Sequence, residues 1–104
     1  MVRKAVTKAP TNGAYWNTMG VALFYAGQWK DAKAALGKSM AFRHGGDSYD
    51  WFVLSMAHCK LGEKHEARKW FHKAVAWMDD KKNQGKIDAD LRRFRAEAAA
   101  LLGD

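Results

Sequence analysis

The spacing of apolar residues along this chain is that of helices. Apolar positions recur every three or four residues, and strand-like alternation of apolar and polar residues is absent. The helix formers Ala and Lys are the most frequent residues, and Pro10 is the only proline, so an all-α fold is expected. Glycines and Asp or Asn residues mark the breaks, which predict a short helix before Pro10 and five longer ones over residues 14–26, 29–42, 48–61, 64–78 and 89–102.

The predicted helix ends have their own signals. Gly27 and Gly62 can each form a left-handed C-cap. Asp47 and Asp88 are good N-caps for the helices that follow them. Residues 82–86 are predicted to be the last linker.

The predicted helices are of two kinds. Residues 14–26 and 48–61 are apolar on more than one face, whereas residues 29–42 and 64–78 have one apolar face and one lysine-rich face. A helix that is apolar on two faces must contact two neighbours or present one face to a ligand.

The whole pattern returns after 35 residues. A fixed period of this length is typical of stacked helical repeats. The recurring residues are Trp16 and Trp51, Gly27 and Gly62, Ala32 and Ala67, and Leu36 and Phe71. Small residues are predicted to let the two helices of each pair approach closely, and these are Gly20, Ala32, Ser55 and Ala67.

Both copies resemble the tetratricopeptide repeat family, whose pattern begins with Trp, two residues and Leu-Gly, and continues to a later Ala and Phe. The residues that carry the resemblance are Trp16, Met19, Gly20, Leu23, Gly27, Ala32 and Leu36, and then Trp51, Leu54, Ser55, His58, Gly62, Ala67 and Phe71. The resemblance implies a right-handed superhelical stack of antiparallel helix pairs. Its units would be the end of a preceding repeat at 1–10, repeats at 13–47 and 48–82, and a C-terminal capping helix at 88–103.

The last predicted helix has one apolar stripe and one polar face suited to solvent, as the capping helix of a repeat array requires. The stripe is formed by Leu91, Phe94, Ala98, Leu101 and Leu102. This segment is similar to the terminal helix of repeat arrays in some large bacterial multidomain proteins. We therefore expect the chain to be the C-terminal end of a longer bacterial array.

Charge and composition narrow the class of protein. The net charge is +7, but the lysines and arginines are scattered, which favours a solvated outer surface over a nucleic-acid site. No apolar run is long enough to span a membrane, and the first residues do not form a signal peptide. Cys59 is the only cysteine, which fits a reducing cytoplasm. We expect neither nucleic acid nor membrane as a partner.

Candidate catalytic and metal-binding groups are weak. His65 and His72 are two helical turns apart, and His58 falls on a different predicted helix, so a shared metal ion is not expected. Cys59 follows His58 directly, but adjacent helical residues rarely meet, and no third orienting group is evident. We predict no metal site, no cofactor and no enzyme activity.

The family resemblance implies that the first helices line a concave groove that binds a peptide or helix of another protein. The groove residues would be Asn17, Val21, Phe24, Tyr25, Tyr49, Phe52, Met56 and Lys60. On this interpretation Phe52→Ala weakens partner binding without unfolding the domain. The alternative is a self-associating array that covers apolar residues such as Val2 and Val6. The partner's identity is not encoded in any pattern that we recognise.

Overall fold

The computed structural model describes residues 12–103, and this part of the chain contains helices and no strand. The predicted all-α fold is confirmed, and the predicted bounds of the longer helices are correct to within one residue. The helix predicted before Pro10 lies outside the described residues. The α-helices are α1 (Gly13–Tyr25), α2 (Trp29–Phe42), α3 (Ser48–Lys60), α4 (Lys64–Asp79) and α5 (Ala89–Leu102).

Local side-chain and backbone contacts define the helix ends. The Asp47 carboxylate accepts the Asp50 amide at 3.2 Å, and the Asp50 carboxylate accepts the Asp47 amide, which completes a capping box on α3. Gly27 and Gly62 have φ angles of 83° and 79°, a conformation that favours glycine, so both predicted C-caps are present.

The segment predicted to be the last linker is a short 3₁₀-helix, Lys81–Lys86. Its polar side chains bond to nearby backbone. Asn83 Nδ2 donates to the Trp77 carbonyl at 2.9 Å, and Gln84 Nε2 donates to the Met78 carbonyl at 2.7 Å. These hydrogen bonds satisfy carbonyl groups at the end of α4 and hold the 3₁₀-helix against it. The composition of residues 82–86 predicted a linker and gave no sign of this ordered turn.

The helices of each repeat form an antiparallel pair. In the first pair, Trp16 lies under Lys38, and Gly20, one turn later in α1, contacts Leu36, which comes earlier in α2. The two helices therefore run in opposite directions. In the second pair, Ser55 Oγ donates to the Ala67 carbonyl at 2.7 Å. The small residues thus lie where the helices approach most closely.

The two Trp residues of the 35-residue period occupy equivalent environments. Trp16 and Trp51 are both buried, and a lysine ammonium lies over each ring, Lys38 at 4.9 Å and Lys73 at 4.8 Å from the ring centroid. The two lysines are themselves separated by the same period. The repetition therefore extends from the sequence to the packing of individual side chains.

A substitution at Gly20 tests this close approach. A Cβ at Gly20 would lie 2.7 Å from Leu36 Cγ, and Leu36 is fully buried. We expect Gly20→Ala to lower the free energy of unfolding by about 1 kcal/mol or more, because overpacking outweighs the gain in helix propensity.

Gly37 provides the matched control, because it is also helical and a Cβ there would meet no atom within 4 Å. Gly37→Ala is expected to raise the free energy of unfolding by about 0.5–1 kcal/mol. Urea denaturation of both variants measures the difference. Equal effects of the two substitutions would contradict the close approach at Gly20.

A buried carboxylate joins the two repeats. The Asp50 side chain is fully buried; it accepts from Asn17 Nδ2 in α1 at 2.7 Å and from Arg43 Nη2 at 2.8 Å. Arg43 also donates to Ser39 Oγ at the end of α2 and to Asp47 at 2.9 Å. Burial raises the pKa of Asp50, and the hydrogen bonds from Asn17 and Ser39 and the Arg43 charge oppose that rise.

Candidate functional site

The first helices of the repeats and the C-terminal helix form a groove. Helix α3 contacts both α1 and α5, so it forms the floor, and α1 and α5 form the walls. Two tyrosines reach the α5 wall, since the Tyr25 hydroxyl donates to Glu97 and the Tyr49 hydroxyl donates to Asp88. The groove therefore has two defined sides, each joined to the other helices by a side-chain hydrogen bond.

One half of the groove is an apolar cavity of about 440 Å³, which we call the Trp29 cavity. Its charged lining groups are Lys60 and Glu97. A volume of this size and a mostly apolar lining are typical of small binding sites. The lining residues are Phe24, Tyr25, Gly27, Trp29, Met56, Lys60, Glu97, Ala100 and Leu101.

The other half is a more polar cavity of about 550 Å³, which we call the Tyr49 cavity. Its charged groups are Asp90 and Arg93, which form an ion pair at 3.3 Å. The lining residues are Asn17, Thr18, Val21, Ala22, Tyr49, Asp90, Arg93 and Phe94.

The hydrogen bond between Tyr25 of α1 and Glu97 of α5 joins the two walls of the groove, and both residues line the Trp29 cavity. Along α1, residues 17–22 line the Tyr49 cavity and residues 24–25 the Trp29 cavity; along α5 the change falls between Phe94 and Glu97. Burial, followed by the hydrogen bond to Glu97, raises the pKa of Tyr25 to about 12. Tyr25 thus stays protonated and keeps donating across the physiological pH range.

Tyr49 fixes the start of α5 in a similar way. Its hydrogen bond to Asp88 raises the pKa of the phenol to about 12 and holds the pKa of the Asp88 carboxyl below its usual range. Asp88 also accepts the Leu91 amide at 2.9 Å as the N-cap of α5. One carboxylate therefore both begins the helix and anchors it to α3.

Most of the predicted groove residues line these cavities. Asn17, Val21 and Tyr49 line the Tyr49 cavity, and Phe24, Tyr25, Met56 and Lys60 line the Trp29 cavity. Phe52 lines neither. The role of the seven in binding a partner stays a prediction.

The exposure of the predicted groove aromatics needs a correction. Phe52 and Met56 have no exposed surface, and Phe24 is 6% exposed, whereas Tyr25 is 53% exposed. The Phe52 ring contacts Phe71 of α4 edge to face at 6.0 Å, so it belongs to the core between the two helices. The prediction that Phe52 is an accessible anchor is wrong, because α3 turns that side chain towards α4.

The α5 wall was missing from the predicted groove. Glu97, Ala100 and Leu101 complete the Trp29 cavity, and Arg93 and Phe94 complete the Tyr49 cavity. Leu91, Phe94 and Ala98 of the predicted apolar stripe are buried against the core. The helical spacing of this buried stripe identifies the neighbouring positions on α5 that face the groove, and the sequence alone could have supplied that signal.

The histidine and cysteine considered as catalytic or metal-binding candidates, His58 and Cys59, lie in structural environments on α3. His58 Nδ1 lies 2.7 Å from Glu63 Oε1, and Cys59 is half-buried. Across residues 12–103, no three His, Cys, Asp or Glu side chains converge as metal ligands. In the same range, no helix combines the length and the hydropathy needed to cross a bilayer.

Comparison with known proteins agrees with the second predicted repeat. The family model of the tetratricopeptide repeat matches residues 53–76, from the middle of α3 to the last turns of α4. The resemblance predicted from Leu54, Ala67 and Phe71 is thereby confirmed for this segment. Comparisons with curated proteins and with solved structures give no significant match.

Proposed function

We propose that this chain is a protein-interaction module that binds a short segment of a partner protein in the groove between α1 and α5. Tetratricopeptide repeats generally serve as protein-interaction modules, and residues 53–76 match that family. The observation that carries the proposal is the pair of cavities over α3, lined by residues from α1, α3 and α5 together with Gly27 and with Trp29 at the start of α2. Such a module acts as a scaffold in the cytoplasm and performs no catalysis itself.

The groove favours a short bound segment over a long helix. The hydrogen bond between Tyr25 and Glu97 links the two walls, so a helix bound along the full length of the groove would have to break that contact. A peptide can instead place one side chain in each cavity. Large apolar side chains suit the Trp29 cavity, where Trp29 and Leu101 supply contact area.

Filling the Trp29 cavity tests this function. Ala100 is an exposed residue of α5 that lines the cavity, so Ala100→Trp should occupy the space without disturbing the core. Peptides would be selected on the wild-type protein from a random displayed library and then measured on the variant by fluorescence anisotropy. We expect affinity to fall by about tenfold or more, since the anchor side chain loses its place.

Ala96→Trp is the matched control, because Ala96 is also exposed on α5 but lines neither cavity. It should leave the affinity of the selected peptides unchanged. The proposal fails if no peptide is enriched, or if the two tryptophan variants bind the selected peptides equally well.

Self-association is the second candidate function. Phe42, at the end of α2, is 42% exposed. A large apolar side chain that is exposed to this extent can contact a second copy of the chain. Val2 and Val6, on which this interpretation also rests, lie outside the described residues. The alternative stays a prediction.

A further inference from the structure

Lys60, the one cation among the residues that line the Trp29 cavity, forms no ion pair with a described carboxylate. The other charged lining group is Glu97, which keeps its negative charge but is hydrogen-bonded to the Tyr25 hydroxyl rather than to Lys60. Lys60 is exposed, and its ammonium lies 5.7 Å from the centroid of the Trp29 ring. No carboxylate of residues 12–103 forms an ion pair with Lys60, and the nearby Glu63 pairs with Lys33 and His58 instead.

We propose that the Trp29 cavity binds an acidic segment of a partner protein, which inserts one large apolar side chain beside Trp29 and Leu101 and pairs a neighbouring carboxylate with Lys60. This inference rests on the proposed function and specifies the chemistry of its partner. The apolar lining supplies contact area, and the exposed lysine selects the charge. Trp29 contributes to both, because its ring lines the cavity and the Lys60 ammonium lies over that ring.

Charge complementarity favours a different protein over the occupants that this chain could supply. Residues 1–11 contain Arg3, Lys4 and Lys8 and no carboxylate side chain, so they cannot neutralise Lys60. A second copy would bring a net charge of +7, and repulsion between two such copies disfavours their association. An acidic segment of a different protein satisfies both the apolar lining and the cation.

Three sets of fluorescein-labelled peptides test the charge selectivity. All carry one large apolar residue, flanked by Asp and Glu in the first set, by Asn and Gln in the second and by Lys and Arg in the third. We expect the wild-type protein to bind the acidic set most tightly. Lys60→Gln should weaken binding of the acidic set by about tenfold, the effect of one lost charge-assisted hydrogen bond, and leave the neutral set unchanged. Lys60→Glu should reverse the preference and favour the basic set.

Lys64→Glu is the control for net charge, because Lys64 is exposed at the start of α4 and lines neither cavity. It changes the total charge by the same amount as Lys60→Glu and should retain the acidic preference. The inference is overturned if the two glutamate variants behave alike, or if the wild-type protein binds the neutral set as tightly as the acidic one.

The same measurements separate this inference from the proposed function. If the neutral set binds as tightly as the acidic set and Ala100→Trp still blocks binding, the groove binds peptides and only the role of Lys60 is wrong. If none of the three sets binds, or if Ala100→Trp has no effect on peptides that do bind, both the peptide-binding function and the acidic partner are wrong.

Discussion

Phe52→Ala is expected to lower the free energy of unfolding by about 3–5 kcal/mol, the usual cost of truncating a fully buried phenylalanine. The Phe52 side chain has no exposed surface and packs against Phe71, so its removal leaves a cavity between α3 and α4. Urea denaturation followed by circular dichroism measures the change. A loss of this size is a large part of the stability of a small domain.

Phe42→Ala is the matched control. Phe42 is 42% exposed at the end of α2, so its truncation should cost no more than about 0.5 kcal/mol. If both variants unfold at the same urea concentration, Phe52 is not part of the core, and the interpretation of Phe52 as an accessible groove anchor regains support.

Asp50→Ala is expected to have the second largest effect, about 2–4 kcal/mol, because it removes the acceptor of a buried charge pair and leaves polar groups without partners. Asn17 Nδ2 and Arg43 Nη2 both donate to this carboxylate, at 2.7 and 2.8 Å. Arg43 retains Asp47 after the substitution, which limits the loss. Asp31→Ala is the control, since Asp31 is an exposed carboxylate in the first turn of α2, and its loss should cost at most about 1 kcal/mol.

The Asp50 carboxylate also makes a specific pH prediction. Burial raises its folded-state pKa above the ordinary 3.8, so the folded protein binds this proton more tightly than the unfolded chain. The stability that this proton contributes is complete below pH 3.8 and is lost as the pH rises through the folded-state pKa. We therefore expect the free energy of unfolding of the wild-type protein, relative to that of Asp50→Asn, to fall as the pH rises from 3.8 through the folded-state pKa of Asp50. A relative stability that rises with pH would contradict the raised pKa.

The helices and their repetition could be predicted from the sequence because their causes are local. Helical spacing, the glycines at 27 and 62 and the capping residues Asp47 and Asp88 each act within a few positions of the chain. The close approach at Gly20 was also predictable, because the 35-residue period aligned it with Ser55 and the family pattern supplied its partner helix.

The groove was predicted only in part because its details depend on long-range contacts. Periodicity places Phe52 on an apolar face of α3 but does not say whether α4 or solvent meets that face. The contact between Asn17 and Asp50 joins residues 33 positions apart, and the contact between Tyr25 and Glu97 joins residues 72 positions apart. No regular spacing in the sequence relates the two residues of either pair, so these contacts can be identified only from the folded structure.

The two phenol–carboxylate contacts to α5 have a thermodynamic consequence for recognition. Tyr25 and Tyr49 brace opposite halves of the terminal helix, so the width of the cleft is set in the unliganded molecule. A peptide bound there, as proposed, would meet a preorganised receptor and avoid much of the entropic cost of ordering it. Affinity for a short peptide would then come from few contacts, and discrimination between peptides would depend mainly on how fast each one dissociates.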